Sequence, residues 1–233
     1  MRHGGQILID QLKIQGVDRV FCLPGESYLA ALDGLFESGI ETIIGRQEGG
    51  VAMMAEAHGK LTGKPGVAFV TRGPGATNAS AGVHIALQDS TPMILFVGQV
   101  ASDQRDREAF QEVDYRQMFA PLAKWVAEID RIDRIPEYIS RAFHMAVSGR
   151  PGPVVLALPE DMLAQQCEVL DAKPAQPACQ DVSEASDTAA AGREPNPYRR
   201  GRRVERKSCQ GSGPLCRSAS SARGHIFSLP RLH

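Results

Sequence analysis

GRQEGGVAMMAEAHGKLTGKPGVAFVTRGPGATN, residues 45–78, decides the fold. Within it, GVAFVT (66–71) is an unbroken apolar run bounded by glycine, as expected of a strand covered on both faces. The residues before it, 49–61, are rich in Ala and Met and have the length of a closely packed helix. After it, residues 74–87 open with proline in a first helical turn and continue in small residues. Helix, strand and helix joined by short turns predict a unit of parallel sheet with a helix on each side.

The same alternation continues outward. Ile7, Leu8, Leu12 and Ile14 make a helical stripe, and VDRVFCL (17–23) reads as the first strand. Ser27 is placed to cap a helix running to Phe36, with Leu29, Leu32 and Leu35 on its buried side. ETIIG (41–45), PMILFVG (92–98), residues 124–129 and PVVLAL (153–158) read as further strands, with a helix over 135–148. A charged, irregular stretch at 99–121 is long for a plain connection, and such loops usually carry function. The expected fold is α/β: a doubly wound, mostly parallel sheet of about six strands with helices on both faces and right-handed crossovers.

That domain is expected to span 1–168, followed by a Pro/Ala/Ser linker at 169–190 and a low-order basic tail at 191–233. The tail holds ten Arg and Lys against Glu194 and Glu205, so the chain's net −1 is the balance of a basic end and an acidic body. An acidic body makes nucleic acid an unexpected partner unless the tail binds it or another anionic surface; the plainer account is a shifted reading frame or degraded gene end. Five cysteines show no CxxC pair or metal-ligand spacing, and no apolar stretch approaches membrane-spanning length. These features predict a soluble, cytoplasmic protein with no membrane partner.

In an open parallel sheet, ligands bind beyond the carboxyl ends of the strands, so chemistry belongs just after them. Glu48 follows a strand and opens a helix, whose dipole favours an ionised carboxylate. An isolated glutamate there would do only that job. Here Gly49 and Gly50 follow at once, clearing bulk from beside the carboxylate so that a flat ligand can approach. Gly73-Pro74-Gly75-Ala76-Thr77-Asn78 lacks the third glycine of a dinucleotide fingerprint, and Pro74 removes an N–H donor. No ribose-binding acid stands at the expected distance, and no Gly-Lys-Ser/Thr makes a phosphate loop, so a nicotinamide oxidoreductase is disfavoured. His58 and His84 lack ligand-spaced partners, Met53 and Met54 read as core filling, and no metal site is expected.

The segments VFCLPGES, residues 45–78, HIALQDSTPMILFVGQV, REAFQEVDYRQMF and SGRPGPVVLALPEDM, in this order, resemble the N-terminal domain of thiamine-diphosphate (ThDP) enzymes of the acetolactate synthase, pyruvate oxidase and benzoylformate decarboxylase type. The resemblance covers nearly all of residues 1–165. It implies that Glu48 hydrogen-bonds N1′ of the cofactor's aminopyrimidine and is the catalytic carboxylate. It also implies that Pro24, Gly25, Thr71, Pro74 and Asn78 line the pyrimidine pocket, with Phe110 and Gln111 on the substrate side. The implied reaction is decarboxylation or carboligation of a small 2-oxo acid. Gln47 departs from the pattern, since many members carry His beside the glutamate.

The family's Gly-Asp-Gly motif, which holds Mg²⁺ and the diphosphate, is absent from the sequence. Mg²⁺ is therefore expected only through a domain not in this chain, and FAD is admitted as a cofactor of the parent enzyme. Two roles follow from the resemblance. One is half of a ThDP site, assembled as a homodimer or with a partner ThDP-enzyme chain, inactive alone and active only if a separate chain supplies the diphosphate domain. The other is a non-catalytic module that dimerises with a full-length enzyme.

Overall fold

The computed structural model describes residues 1–175. The decisive apolar run forms β4 (Gly66–Val70), every residue of which is buried. It lies between β2 (Arg19–Cys22) and β5 (Met93–Gln99), parallel to both, with Phe21 opposite Ala68 and Val67 opposite Ile94. With β3 (Glu41–Ile44), β6 (Trp125–Glu128) and β7 (Pro153–Pro159) it makes a six-stranded sheet, ordered β3-β2-β4-β5-β7-β6. All its pairings are parallel. The expected doubly wound α/β fold is therefore what the chain adopts.

Strand alternation sorts the core into two unequal layers. Val67, Phe69, Ile94, Phe96, Val154, Leu156 and Leu158 face α1 (Gly4–Ile14), α2 (Leu29–Leu35), α6 (Ile135–Val147) and α7 (Glu160–Ala164). Phe69 and Phe96 stack there at 4.7 Å between centroids. Ala68, Val70, Leu95, Val97, Val155 and Ala157 face α3 (Glu48–Thr62), α4 (Pro74–Asp89) and α5 (Tyr115–Phe119). Small residues on strand and helix let α3 and α4 approach closely, so that a Cβ on Gly82 would lie 2.5 Å from that of Ala52. Each large apolar side chain buried in these layers contributes about 1.5–3 kcal/mol.

Three local expectations are corrected, and one small element was not anticipated. A 3-10 turn, Glu26–Tyr28, precedes α2, and Ser27 makes no helix cap. Tyr28 takes the core position on Phe69, which turns Leu29 outward to 62% exposure and leaves Ala31 and Leu35 buried. Met53 is exposed on α3 rather than core filling, while Met54 packs against the core. A two-stranded antiparallel pair, β1 (Arg2–His3) with β8 (Gln166–Cys167), has too few residues to show a periodic pattern.

The linker and tail expected at 169–190 and 191–233 fall largely outside the described residues. No helix among the described residues is long and apolar enough to cross a membrane. Among those residues no cluster of His, Cys, Asp or Glu could hold a metal ion, and Cys22 and Cys167 are free thiols.

Candidate functional site

The chain leaves β2 toward β3 and leaves β4 in the opposite sense toward β5, so the sheet reverses its winding between β2 and β4. A crevice opens at such a switch point, beyond the carboxyl ends of the strands. Three turns border it: Pro24-Gly25 after β2, Arg46-Gln47 after β3, and Thr71-Arg72-Gly73 after β4.

Glu48 is the first residue of α3 and is half-buried. Gln47 is the N-cap, its side chain accepting from the Gly50 N–H at 2.8 Å. That capping contact accounts for a glutamine at a position where the sequence alone suggested only a departure from pattern. Asn78, one turn into α4, donates its amide to Glu48 Oε2 at 3.0 Å. Among the described residues, Glu48 Oε1 accepts no hydrogen bond. A Cβ placed on Gly75 would lie 3.5 Å from that oxygen and 2.8 Å from Thr71 Cγ2. The missing Cβ thus leaves a clear approach to a carboxylate oxygen whose mate is already fixed.

Gly25 and Thr71 close the floor. A Cβ on Gly25 would meet Thr71 Cβ at 2.4 Å, so the two turns touch backbone to side chain. Gly73 has φ +57° and ψ −113°, a conformation that glycine alone adopts readily, and it starts α4 with Pro74 at the first helical position. Gln111 lies over this turn, its Cβ only 2.7 Å from where a Gly73 side chain would begin. Pro24, Pro74 and Phe110 are exposed, Phe110 at 70%. The structure thus brings Glu48, Asn78, Thr71, Pro74 and Gly25 around one crevice, with Gln111 at its edge. Phe110 points to solvent.

Four further residues shape the crevice; the sequence placed Arg72 only within the turn expected to carry chemistry, read Ser27 as a helix cap, and gave Tyr28 and Tyr115 no role. Ser27 is fully buried, with its Oγ accepting from the Arg72 N–H at 3.2 Å and sharing a hydrogen bond with Thr71 Oγ1 at 2.9 Å. Tyr28 donates its hydroxyl to Leu23 O at 2.5 Å, and burial pushes that phenol's pKa up. Tyr115 accepts the Gly73 N–H at 2.8 Å, and burial pushes its phenol up to about 12. Arg72, itself buried, reaches Glu26 at 3.1 Å and Glu160 at 2.8 Å, tying together the ends of β2, β4 and β7. The only sequence signal for Arg72 is a charge set between a buried strand and a glycine turn.

Ser27→Ala leaves the Arg72 N–H buried without its acceptor, which costs about 1–3 kcal/mol. For a domain of this size the expected fall in Tm is roughly 2–12 °C by circular dichroism. An unchanged Tm would show that the Ser27 contacts are idle.

Comparison with known proteins identifies the family of this domain. Residues 2–118 match the family described as "Thiamine pyrophosphate enzyme, N-terminal TPP binding domain". The chain is 41% identical over 164 residues to the mitochondrial acetolactate synthase catalytic subunit of Aspergillus candidus, covering 70% of this chain and 24% of that protein. It is 38% identical over 160 residues to the acetolactate synthase isozyme 2 large subunit of Escherichia coli K12, covering 69% and 29%. For the acetolactate synthase of Bacillus subtilis the figures are 37% over 161 residues, 69% and 28%. The chain thus spans about a quarter of the length of the curated relatives it matches. Its described residues carry the N-terminal ThDP-binding domain of acetolactate-synthase-like enzymes, and the chain belongs to the thiamine pyrophosphate enzyme family.

Proposed function

We propose that this chain supplies the pyrimidine half of a ThDP site for decarboxylation or carboligation of a small 2-oxo acid. The diphosphate half, with its Mg²⁺, then comes from a domain bearing the Gly-Asp-Gly motif, brought by a partner ThDP-enzyme chain; pairing of this chain with itself leaves the site half-built. The observation that carries the proposal is the Glu48 carboxylate, with Oε2 held by Asn78 and Oε1 facing the cleared side of Gly75. These residues fit an aminopyrimidine: a flat ring needs the missing Cβ atoms, and a protonated ring nitrogen needs a fixed carboxylate acceptor.

When bound, ThDP supplies the electron sink for the carbanion that decarboxylation leaves. Glu48 accepts a hydrogen bond from N1′ and holds a proton there, while the N-terminus of α3 favours its ionised form. Asn78 fixes the carboxylate, and Pro24, Gly25, Thr71 and Pro74 line the ring's pocket. Phe110 and Gln111 stand on the substrate side. FAD, if the assembled enzyme uses it, is assigned no residue of this chain. The protein acts in the cytoplasm.

Purified chain with pyruvate, ThDP and Mg²⁺ is expected to release neither CO₂ nor acetolactate above background. Co-expression with a full-length relative whose own matching glutamate is replaced by Gln is expected to restore turnover, because Glu48 then serves the shared site. Strong turnover by the chain alone contradicts the half-site. Inhibition of an intact relative without any restored turnover is the signature of a non-catalytic interaction module.

A further inference from the structure

The stretch between β5 and α5 is more ordered than its composition suggests. Asp106, Glu108 and Gln111 have φ of +61°, +52° and +63°, a left-handed conformation that non-glycine residues seldom adopt. Such strain persists only where surrounding contacts over-determine it. Little apolar packing is available, because Asp106, Glu108 and Phe110 are all exposed. A carboxylate takes the place of a core. Glu112, only 12% exposed, accepts the Asp106 N–H at 2.8 Å and the Ala109 N–H at 3.2 Å. Arg105 Nε lies 3.4 Å from Glu112 Oε1, and its guanidinium also pairs with Glu128 on β6.

The far end of the loop is pinned separately. Buried Gln99 donates to Val113 O at 2.9 Å, and Tyr115 accepts the Gly73 N–H. Gln111 sits between the Glu112 clip and the Gly73 turn, two residues from the Gly75 that faces Glu48.

We propose that Glu112, clipped to Arg105, is a positioning residue for Gln111, holding the loop in the one conformation that lays Gln111 over the Gly73 turn. Its consequence for substrate rests on the half-site function proposed above. The Asp106 amide, with that of Ala109 and the Arg105 charge, holds the Glu112 carboxyl below the usual carboxylate range. Asp106, Arg107 and Glu128 are the other charged groups around it. The clip's stabilisation is therefore complete above an ordinary pKa near 4.5 and is lost as pH falls through the lower folded value.

Hydrogen exchange of the full chain tests the clip at neutral pH. Glu112→Ala is expected to speed exchange across residues 102–113 by about tenfold or more, since two charge-assisted bonds are lost. Peptides from β4, β5 and β7 should exchange as in the wild type. Glu112→Gln should recover part of the protection, because its amide oxygen still accepts an N–H. Equal loop exchange in wild type and Glu112→Ala overturns the proposal, as does equal acceleration of the sheet. In the co-expression assay, Glu112→Ala is expected to raise the KM for pyruvate by about tenfold at unchanged ThDP affinity. A loosened loop with unchanged KM overturns the positioning of Gln111. If the wild-type chain restores no turnover, the proposed function fails, and the exchange comparison still decides the clip.

Discussion

Glu48→Gln is expected to cut the turnover restored in the co-expression assay by roughly 10²–10⁴-fold, the range over which a positioned acid–base group contributes. The substitution preserves volume and leaves an amide beside Asn78, so it changes charge and proton affinity while sparing shape. At the first position of α3, loss of the charge costs the helix only about 0.3–1 kcal/mol. The variant should therefore fold with a Tm within a few degrees of the wild type. The combination of intact fold and lost turnover separates a chemical role for Glu48 from the helix-opening role that any first-turn glutamate can play. A variant keeping more than about a tenth of the wild-type rate would assign Glu48 to that lesser role.

Gly66→Ala carries the largest expected structural effect. A Cβ at this first residue of β4 would lie 1.8 Å from the carbonyl oxygen of Ala55 and 2.7 Å from its carbon. Both are backbone atoms in the middle of α3, so no side-chain rotation relieves the clash. Either β4 shifts within a sheet paired on both sides, or α3 moves away and carries Glu48 with it. Overpacking of this kind costs about 3 kcal/mol, equivalent to a fall in Tm of roughly 6–12 °C. A Tm within about 2 °C of the wild type would show that α3 and β4 are less tightly apposed than described.

The parts of the fold legible in the sequence were those with strong, local signals. β4, β5 and β7 are buried throughout and read as apolar runs, and the small residues of α3 and α4 announced close packing. The rest was set by contacts far apart in sequence. A serine before a helix usually caps it, yet Ser27 turns inward because the Arg72 amide and Thr71 hydroxyl at the end of β4 offer it buried partners. Three left-handed residues around Phe110 could not be anticipated, since none is glycine and their support is the Glu112 carboxylate. At the crevice, Glu48 and Asn78 were identifiable from their places after a strand, whereas Thr71 read as the end of the strand run and entered only through the family resemblance. Their meeting depends on the strand order, which brings Asn78 within 3.0 Å of a carboxylate thirty residues away. Tyr115 gave no usable signal, because what it holds is the backbone of a distant turn, and the charge of Arg72 before a glycine turn did not reveal its partners, Glu26 and Glu160.

Backbone amide shifts of the labelled chain, followed by NMR during titration with thiamine and separately with ThDP, test the pyrimidine half-site most directly. Both ligands are expected to move the same amides, those of Gly25, Glu48 to Gly50 and Thr71 to Asn78, with weak affinity, no dependence on Mg²⁺ and no response in Glu48→Gln. Shifts that fall elsewhere, or that require both the diphosphate and Mg²⁺, would contradict the placement of the ring against Glu48.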